Sequence, residues 1–199
     1  MRRLIDLTLR VSKPLYKIWL TCEARADIAA WTIVIDSFNG KSLFMSDQWL
    51  SSDHFKLFTD AAGSLGFAAV LGHMWFAESW SSPLASYDIT VKERFPIVLA
   101  LELWGYKMAN SKVLFLSDNQ AVVEIINKQT CKKSVLMRLV QRLVLAAMKC
   151  NVWFLAKHIA GKTNTVADAL YSFHFQQARV HAPWLSPTPM LIPSHLFYI

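Results

Sequence analysis

Two segments, Lys56-Leu57-Phe58-Thr59-Asp60 and Leu114-Phe115-Leu116-Ser117-Asp118, end alike: an apolar strand, a hydroxyl residue, an aspartate. Small or polar residues follow each, Ala61-Ala62-Gly63-Ser64 after the first and Asn119-Gln120-Ala121 after the second. Carboxylates at the ends of two buried strands that could lie side by side suggest a shared divalent cation, which takes oxygen ligands. Two more acids can complete the set: Glu93 at the start of a long helix and Asp168 in the first turn of the last one. Such a cluster repels itself, one pair at 4 Å costing roughly 4 kcal/mol at an effective dielectric near 20. It makes sense only with metal bound. The chemistry it suits is two-metal phosphodiester hydrolysis, where one ion activates water and the other stabilises the leaving oxygen.

Each acid also has a plainer reading. An aspartate after a strand commonly serves a turn or caps a helix. Thr90-Val91-Lys92-Glu93 fits a capping box, with the glutamate bonded back to the Thr90 amide. Against it stands Pro96, whose ring would clash with the Lys92 carbonyl in a regular helix from Val91. Asp168 could be a helix N-terminal acid favoured by the dipole. Glu102 reads as a surface acid.

The positioning elements can be read from periodicity. Residues 1–40 read as helical, with Ile28, Trp31, Ile35 and Phe38 at helical spacing, Asn39-Gly40 as a stop and Pro14 as a break. Residues 41–52 read as a connector. Three strands follow, Phe55–Ala61, Phe67–Leu71 and Met74–Trp80, turned at Gly63 to Gly66 and at Gly72-His73. After a loop over Ser81–Asp88 comes a long helix to about Ala109, then strand Val113–Ser117 and a short helix through Ile126. Helix Ser134–Lys149, strand Val152–Lys157 and a final helix from about Thr165 complete the set. Residues 177–199, rich in proline, read as an extended or disordered tail. Strands joined by short turns must pair antiparallel, and strands separated by helices must add in parallel. The expectation is an α/β domain over residues 53–176: one mixed five-stranded sheet, three antiparallel strands then parallel ones, flanked by helices and preceded by a helical extension. Ligands gather at the carboxyl ends of strands in such sheets.

Composition narrows the setting. The chain has 199 residues, 54% of them apolar, with eight Trp and twelve Phe, ample for a substantial core. No run approaches the roughly 18 consecutive apolar residues of a membrane helix, and Met1-Arg2-Arg3 does not begin a signal peptide. An intracellular protein, or a piece of a larger one, is expected, with no membrane partner. The formal charge of +7 favours a polyanionic partner through phosphate neutralisation. Cys22, Cys131 and Cys150 form no CxxC pair and read as buried, reduced thiols.

The order Asp60, Glu93, Asp118, Asp168 resembles the D-E-D-D set of type 1 ribonuclease H. Phe58-Thr59-Asp60-Ala61-Ala62-Gly63 looks like its first-strand motif, Glu93 through Glu102 like its glutamate helix, and Ser117-Asp118-Asn119 like its central strand end. His158-Ile159-Ala160-Gly161-Lys162, Asn164 and Val166-Ala167-Asp168-Ala169-Leu170 resemble the loop joining a mobile histidine to the last aspartate. Phe95-Pro96-Ile97-Val98 and Ala121 through Lys128 are similar to retrotransposons of the DIRS type, which carry a tyrosine recombinase. There the ribonuclease H follows a reverse transcriptase, whose end residues 1–40 resemble.

The resemblance implies that Asp60, Glu93, Asp118 and Asp168 bind two Mg²⁺ or Mn²⁺ ions and that His158 assists proton transfer or product release. The substrate implied is the RNA strand of an RNA–DNA hybrid, and the partner the upstream reverse transcriptase domain, in the cytoplasm or nucleus. Arg138, Arg142 and Lys149 lie on one helix stripe, which is either a solvated face or a contact for the DNA strand. Gly63, Ser64 and Asn119 either touch 2′-hydroxyls, as RNA recognition requires, or are plain turn residues. Two departures stand out: Tyr171-Ser172 follows Ala169-Leu170 where relatives read Ala-Leu-Ser-Arg, and Ala62 stands where serine is common. A decayed module that keeps the fold and acts only in nucleic-acid binding or as a structural subdomain is therefore the alternative. A transposase or integrase nuclease would order its acids Asp, Asp, Glu, which this chain does not.

Overall fold

Gly72, at a φ of +60°, and His73 form the two-residue loop that folds β3 (Gly66–Leu71) back on β4 (Met74–Ser79), a conformation glycine adopts without strain. The structure is a computed structural model that describes residues 2–9, 11, 13, 15–37, 48–55, 57–158 and 165–199. Before the hairpin come α1 (Arg2–Leu9), α2 (Cys22–Ser37), β1 (Trp49–Ser51), the helical turn α3 (Ser52–Phe55) and β2 (Leu57–Ala61). After it come α4 (Ser82–Ala85), α5 (Ile89–Trp104), β5 (Lys112–Ser117), α6 (Gln120–Lys128) and α7 (Ser134–Lys149). The chain closes with β6 (Trp153–His158), α8 (Thr165–Tyr171) and α9 (Phe175–His181).

Residues 1–42 and 43–199 are separate units. In the first, Thr21 Oγ1 accepts from the Ala24 amide at 3.2 Å at the start of α2. Ile28, Trp31 and Ile35 are exposed. The expected stop at Asn39-Gly40, and Phe38 and Pro14, lie outside the described residues. No helix among the described residues is long and apolar enough to cross a membrane.

The second unit is mixed α/β, but the expected single five-stranded sheet is two sheets of three strands each. One is antiparallel, ordered β2-β3-β4; the other is parallel, ordered β1-β5-β6. The correction lies in residues 41–52, read as a connector. Their end, Trp49–Ser51, is the strand that pairs in parallel with Lys112–Leu114 of β5. Residues 52–55 turn as a single helical turn, α3, between the two strands. That turn takes Phe55 out of the extended run, so β2 starts at Leu57 and pairs with β3.

The antiparallel sheet has two apolar faces. Leu57, Ala61, Phe67, Ala69, Leu71 and Phe76 join the larger core with α5 and α7. Phe58, Ala68, Val70, Trp75 and Ala77 join a second cluster with α8 and α9. Strand alternation therefore turns Asp60 to the α8 side, in step with Phe58.

The proline-rich tail, expected extended or disordered, is extended in part and pinned. The Ser186 amide donates to the His73 carbonyl (2.8 Å) and the Met190 amide to the Trp75 carbonyl (2.7 Å). Trp75 Nε1 returns a bond to the Ser186 carbonyl at 2.9 Å. The tail thus covers the open edge of β4, which sheets otherwise leave unpaired. Ala182 and Leu185 are buried in the second cluster and Ile192 in the first.

Candidate functional site

Asp60 is the penultimate residue of β2, and its Oδ1 accepts from the Ala61 amide at 2.8 Å. Burial pushes its carboxyl up to about 6. The Ala61 bond opposes the rise, while the charges of Asp118, Asp168 and Glu93 add to it. The three other predicted acids thus all act on Asp60, and Asp118 acts on Glu93 as well.

Glu93 reaches the cluster from α5. The helix is capped by Asp88, whose Oδ1 accepts from the Val91 amide at 3.1 Å. The helix thus starts where the expected loop over Ser81–Asp88 ends, the rival capping box at Thr90 is not made, and Pro96 lies in the interior with Glu93 a turn inside. Burial raises its carboxyl, a hydrogen bond from Asn119 opposes this, and Asp118 adds to it. Its Oε2 is buried with no hydrogen-bond partner.

Asn119 ties two elements together. Its Oδ1 caps α6, accepting from the Ala121 and Val122 amides at 2.9 and 3.2 Å, and its side chain also bonds Glu93. Its own amide donates to Ser117 Oγ at 3.2 Å, closing the turn that carries exposed Asp118. The parallel register sets Ser117 opposite His158, so His158 Nε2 lies 3.0 Å from the Asp118 carbonyl oxygen. Exposed Asp168 is on α8, hydrogen-bonded to Tyr171. Residues 159–164, the expected histidine loop, lie outside the described residues.

Gly63 and Ser64 are exposed in the turn after β2. Lys92, which sequence reasoning passed over, holds that turn in place. Only 6% exposed, its ammonium donates to the Gly63 carbonyl and, at 2.8 Å, to the Ala85 carbonyl. Trp80 Nε1 adds a bond to the Ala62 carbonyl at 2.7 Å. Lys92→Met would leave both carbonyls short of a charged donor, at about 1–3 kcal/mol. Limited proteolysis should then cut faster within residues 61–66, and an unchanged cutting rate would refute this role.

The basic stripe divides. Arg138 is exposed. Arg142 is not free for a DNA strand, a correction to its candidacy: its side chain is 18% exposed and forks onto Glu102 at 2.9 and 2.5 Å. It also donates to the Leu196 and Tyr198 carbonyls at 2.9 and 2.8 Å. Glu102, read as a surface acid, is 16% exposed in this pair. Arg94, next to Glu93, is wholly buried, and none of its three nitrogens finds a partner among the described residues. Burial lowers its guanidinium to about 10. The charges of Cys131, Asp88 and Glu93 oppose that fall.

Among the described residues, no three acidic, histidine or cysteine side chains form a group that could hold a metal ion. No protein-family model matches the chain, and no curated protein does either. Among solved structures, the N-terminal ribonuclease H domain of a Mycobacterium tuberculosis protein, solved as a fusion with maltose-binding protein, aligns at 17% identity and a TM-score of 0.41. The alignment covers 63% of this chain and 96% of that one. A score at that level does not establish a common fold.

Proposed function

We propose that this chain is a metal-dependent endonuclease that hydrolyses the RNA strand of RNA–DNA hybrids, as part of the reverse transcriptase polyprotein of a DIRS-type retrotransposon. One observation carries the reading: the Asp60 carboxyl, held at about 6 by burial and by three acids remote in sequence. A carboxylate that feels three others is raised in energy, and a hard cation would relieve it. The donors fit such a cation, since all four are carboxylates and Glu93 Oε2 is buried without a partner. Asp60, Glu93, Asp118 and Asp168 would hold two Mg²⁺ or Mn²⁺ ions, which when bound supply a hydroxide nucleophile and stabilise the leaving oxygen.

The chain's own residues do the rest. Asn119 keeps Glu93 oriented, and His158, exposed beside Asp118, moves a proton or helps the product leave. Exposed Arg138 and Lys132 suit phosphates of the DNA strand. Asn119 is committed to α6 and Glu93, so the Gly63-Ser64 turn is the better candidate for 2′-hydroxyl contact. The partners would be the hybrid and the upstream reverse transcriptase domain, in the cytoplasm or nucleus.

A second reading, the decayed module, draws support from the absence of a closed metal-holding group among the described residues. A labelled hybrid incubated with Mn²⁺ or with EDTA separates the two. Mn²⁺-dependent cleavage, lost in Asp118→Asn while the fold persists, is the expected result. Binding without turnover would leave the decayed module.

A further inference from the structure

We propose that Asn127 is a positioning residue for His158, clamping the end of β6 so that the imidazole stays beside the Asp118 carbonyl; for its effect on cleavage the inference rests on the nuclease reading above. β6 lies at an edge of its sheet, in the order β1-β5-β6. Among the described residues, β5 holds it on one side and no strand holds it on the other. An edge of that kind leaves backbone amides and carbonyls unpaired. Asn127, the penultimate residue of α6, fills the gap at Ala156. Its Oδ1 accepts from the Ala156 amide at 2.7 Å, and its Nδ2 donates to the Ala156 carbonyl at 2.8 Å. A carboxamide carries both a donor and an acceptor, so one side chain stands in for a neighbouring strand.

His158 follows Ala156 by two residues and pairs in register with Ser117 of β5. Its Nε2 lies 3.0 Å from the Asp118 carbonyl oxygen. A carbonyl only accepts, so that nitrogen carries a proton, and in the neutral imidazole the lone pair is left on Nδ1. A proton that His158 takes up therefore goes to Nδ1. The contact at Nε2 joins the end of β6 to the turn after β5, and it needs β6 to keep its place along α6. Asn127 fixes that place, because both backbone groups of Ala156 are engaged at once. Asn127 is itself exposed, so water can replace its bonds at little cost to the fold as a whole. Its effect is local, on the two residues that end the strand.

A double-mutant cycle in the full-length chain separates positioning from a general contribution to the fold. Asn127→Ala should lower kcat for Mn²⁺-dependent hybrid cleavage roughly 10-fold with KM unchanged, as displacement of a proton-transfer group does. Combined with His158→Ala it should cost nothing further, because the group it positions is gone. Losses that multiply, or an unchanged kcat in Asn127→Ala, overturn the role. The melting temperature of Asn127→Ala should fall by less than about 5 °C, and a larger fall assigns the residue to the fold at large and overturns the role too. A measurement without cleavage keeps the clamp apart from the nuclease reading: the ¹⁵N shifts of the His158 imidazole in the metal-free chain, identified by their loss in His158→Ala. Wild type should show the proton on Nε2, and Asn127→Ala an average over both ring nitrogens. That change in a chain that cleaves no hybrid removes the nuclease reading and leaves the clamp standing. Shifts that coincide in wild type and Asn127→Ala remove the clamp, whatever the cleavage.

Discussion

Arg142→Ala is expected to lower the melting temperature by about 10 °C, the largest effect of any single truncation considered for this fold. The guanidinium forks onto Glu102 in a pair with both side chains less than one-fifth exposed, at 18% and 16%. Removing one partner of such a pair strands the other charge, at about 3 kcal/mol for a partly buried site. At roughly 2–4 °C per kcal/mol for a domain of this size, the shift follows. More is lost than the pair. Arg142 also holds the Leu196 and Tyr198 carbonyls and lies 5.8 Å from the centre of the Phe95 ring. The variant should therefore release the end of the tail, and carboxypeptidase should shorten it faster. Arg142→Lys should rescue little, because a single ammonium cannot reproduce the planar fork. Scanning calorimetry that finds Arg142→Ala within 2 °C of wild type would mean that the strand-edge bonds alone hold the tail.

That role was not legible in the sequence, for a physical reason. Arg142 lies on the same stripe as Arg138 and Lys149, and a stripe says nothing about what packs over it. Its partners are 40 and 54–56 residues away, and pairing at such range is decided by how α5 and α7 meet. The burial of Lys92 was hidden likewise. α5 buries most of its circumference, so no polar side marks where a charge must go inside.

Local signals were read better. The hairpin at Gly72-His73 needs one turn, and its turn residues lie next to each other in the chain. The strand-hydroxyl-aspartate ends at Asp60 and Asp118 are local too: Asp60 is penultimate in β2 and Asp118 directly follows β5. The division into two sheets was missed because β1 is three residues long in a Ser- and Asp-rich stretch, too short for alternation to show. The start of α5 was legible, since the loop expected to end at Asp88 ends there; what the sequence left open was which of Asp88 and Thr90 caps the helix, because both are good caps and only the fold selects between them.

Asp60→Asn is expected to act with opposite signs on activity and on stability. Cleavage of the hybrid should fall to background, because the amide cannot serve as an anionic ligand. The metal-free chain should instead become more stable at neutral pH. In the folded protein the Asp60 carboxyl is raised from 3.8 to about 6. A raised carboxyl contributes stability that is fully present below the unfolded value and is lost as pH climbs through the folded one. The loss thus falls between about pH 4 and pH 6. Above that window wild type bears the whole penalty, about 2 kcal/mol after allowing for partial exposure. Asparagine has no such titration. The variant should accordingly melt about 4–8 °C higher than wild type at pH 7.5, with the gap closing toward pH 4. Mn²⁺ should reverse the ranking, since a ligand that binds only the folded state stabilises the chain that can hold it. Thermal melts of both chains with Mn²⁺ and with EDTA, at pH 4.5 and pH 7.5, test each part. If the variant is no more stable than wild type in EDTA at pH 7.5, the carboxylates do not crowd Asp60, and the argument for a cation among them fails at its root.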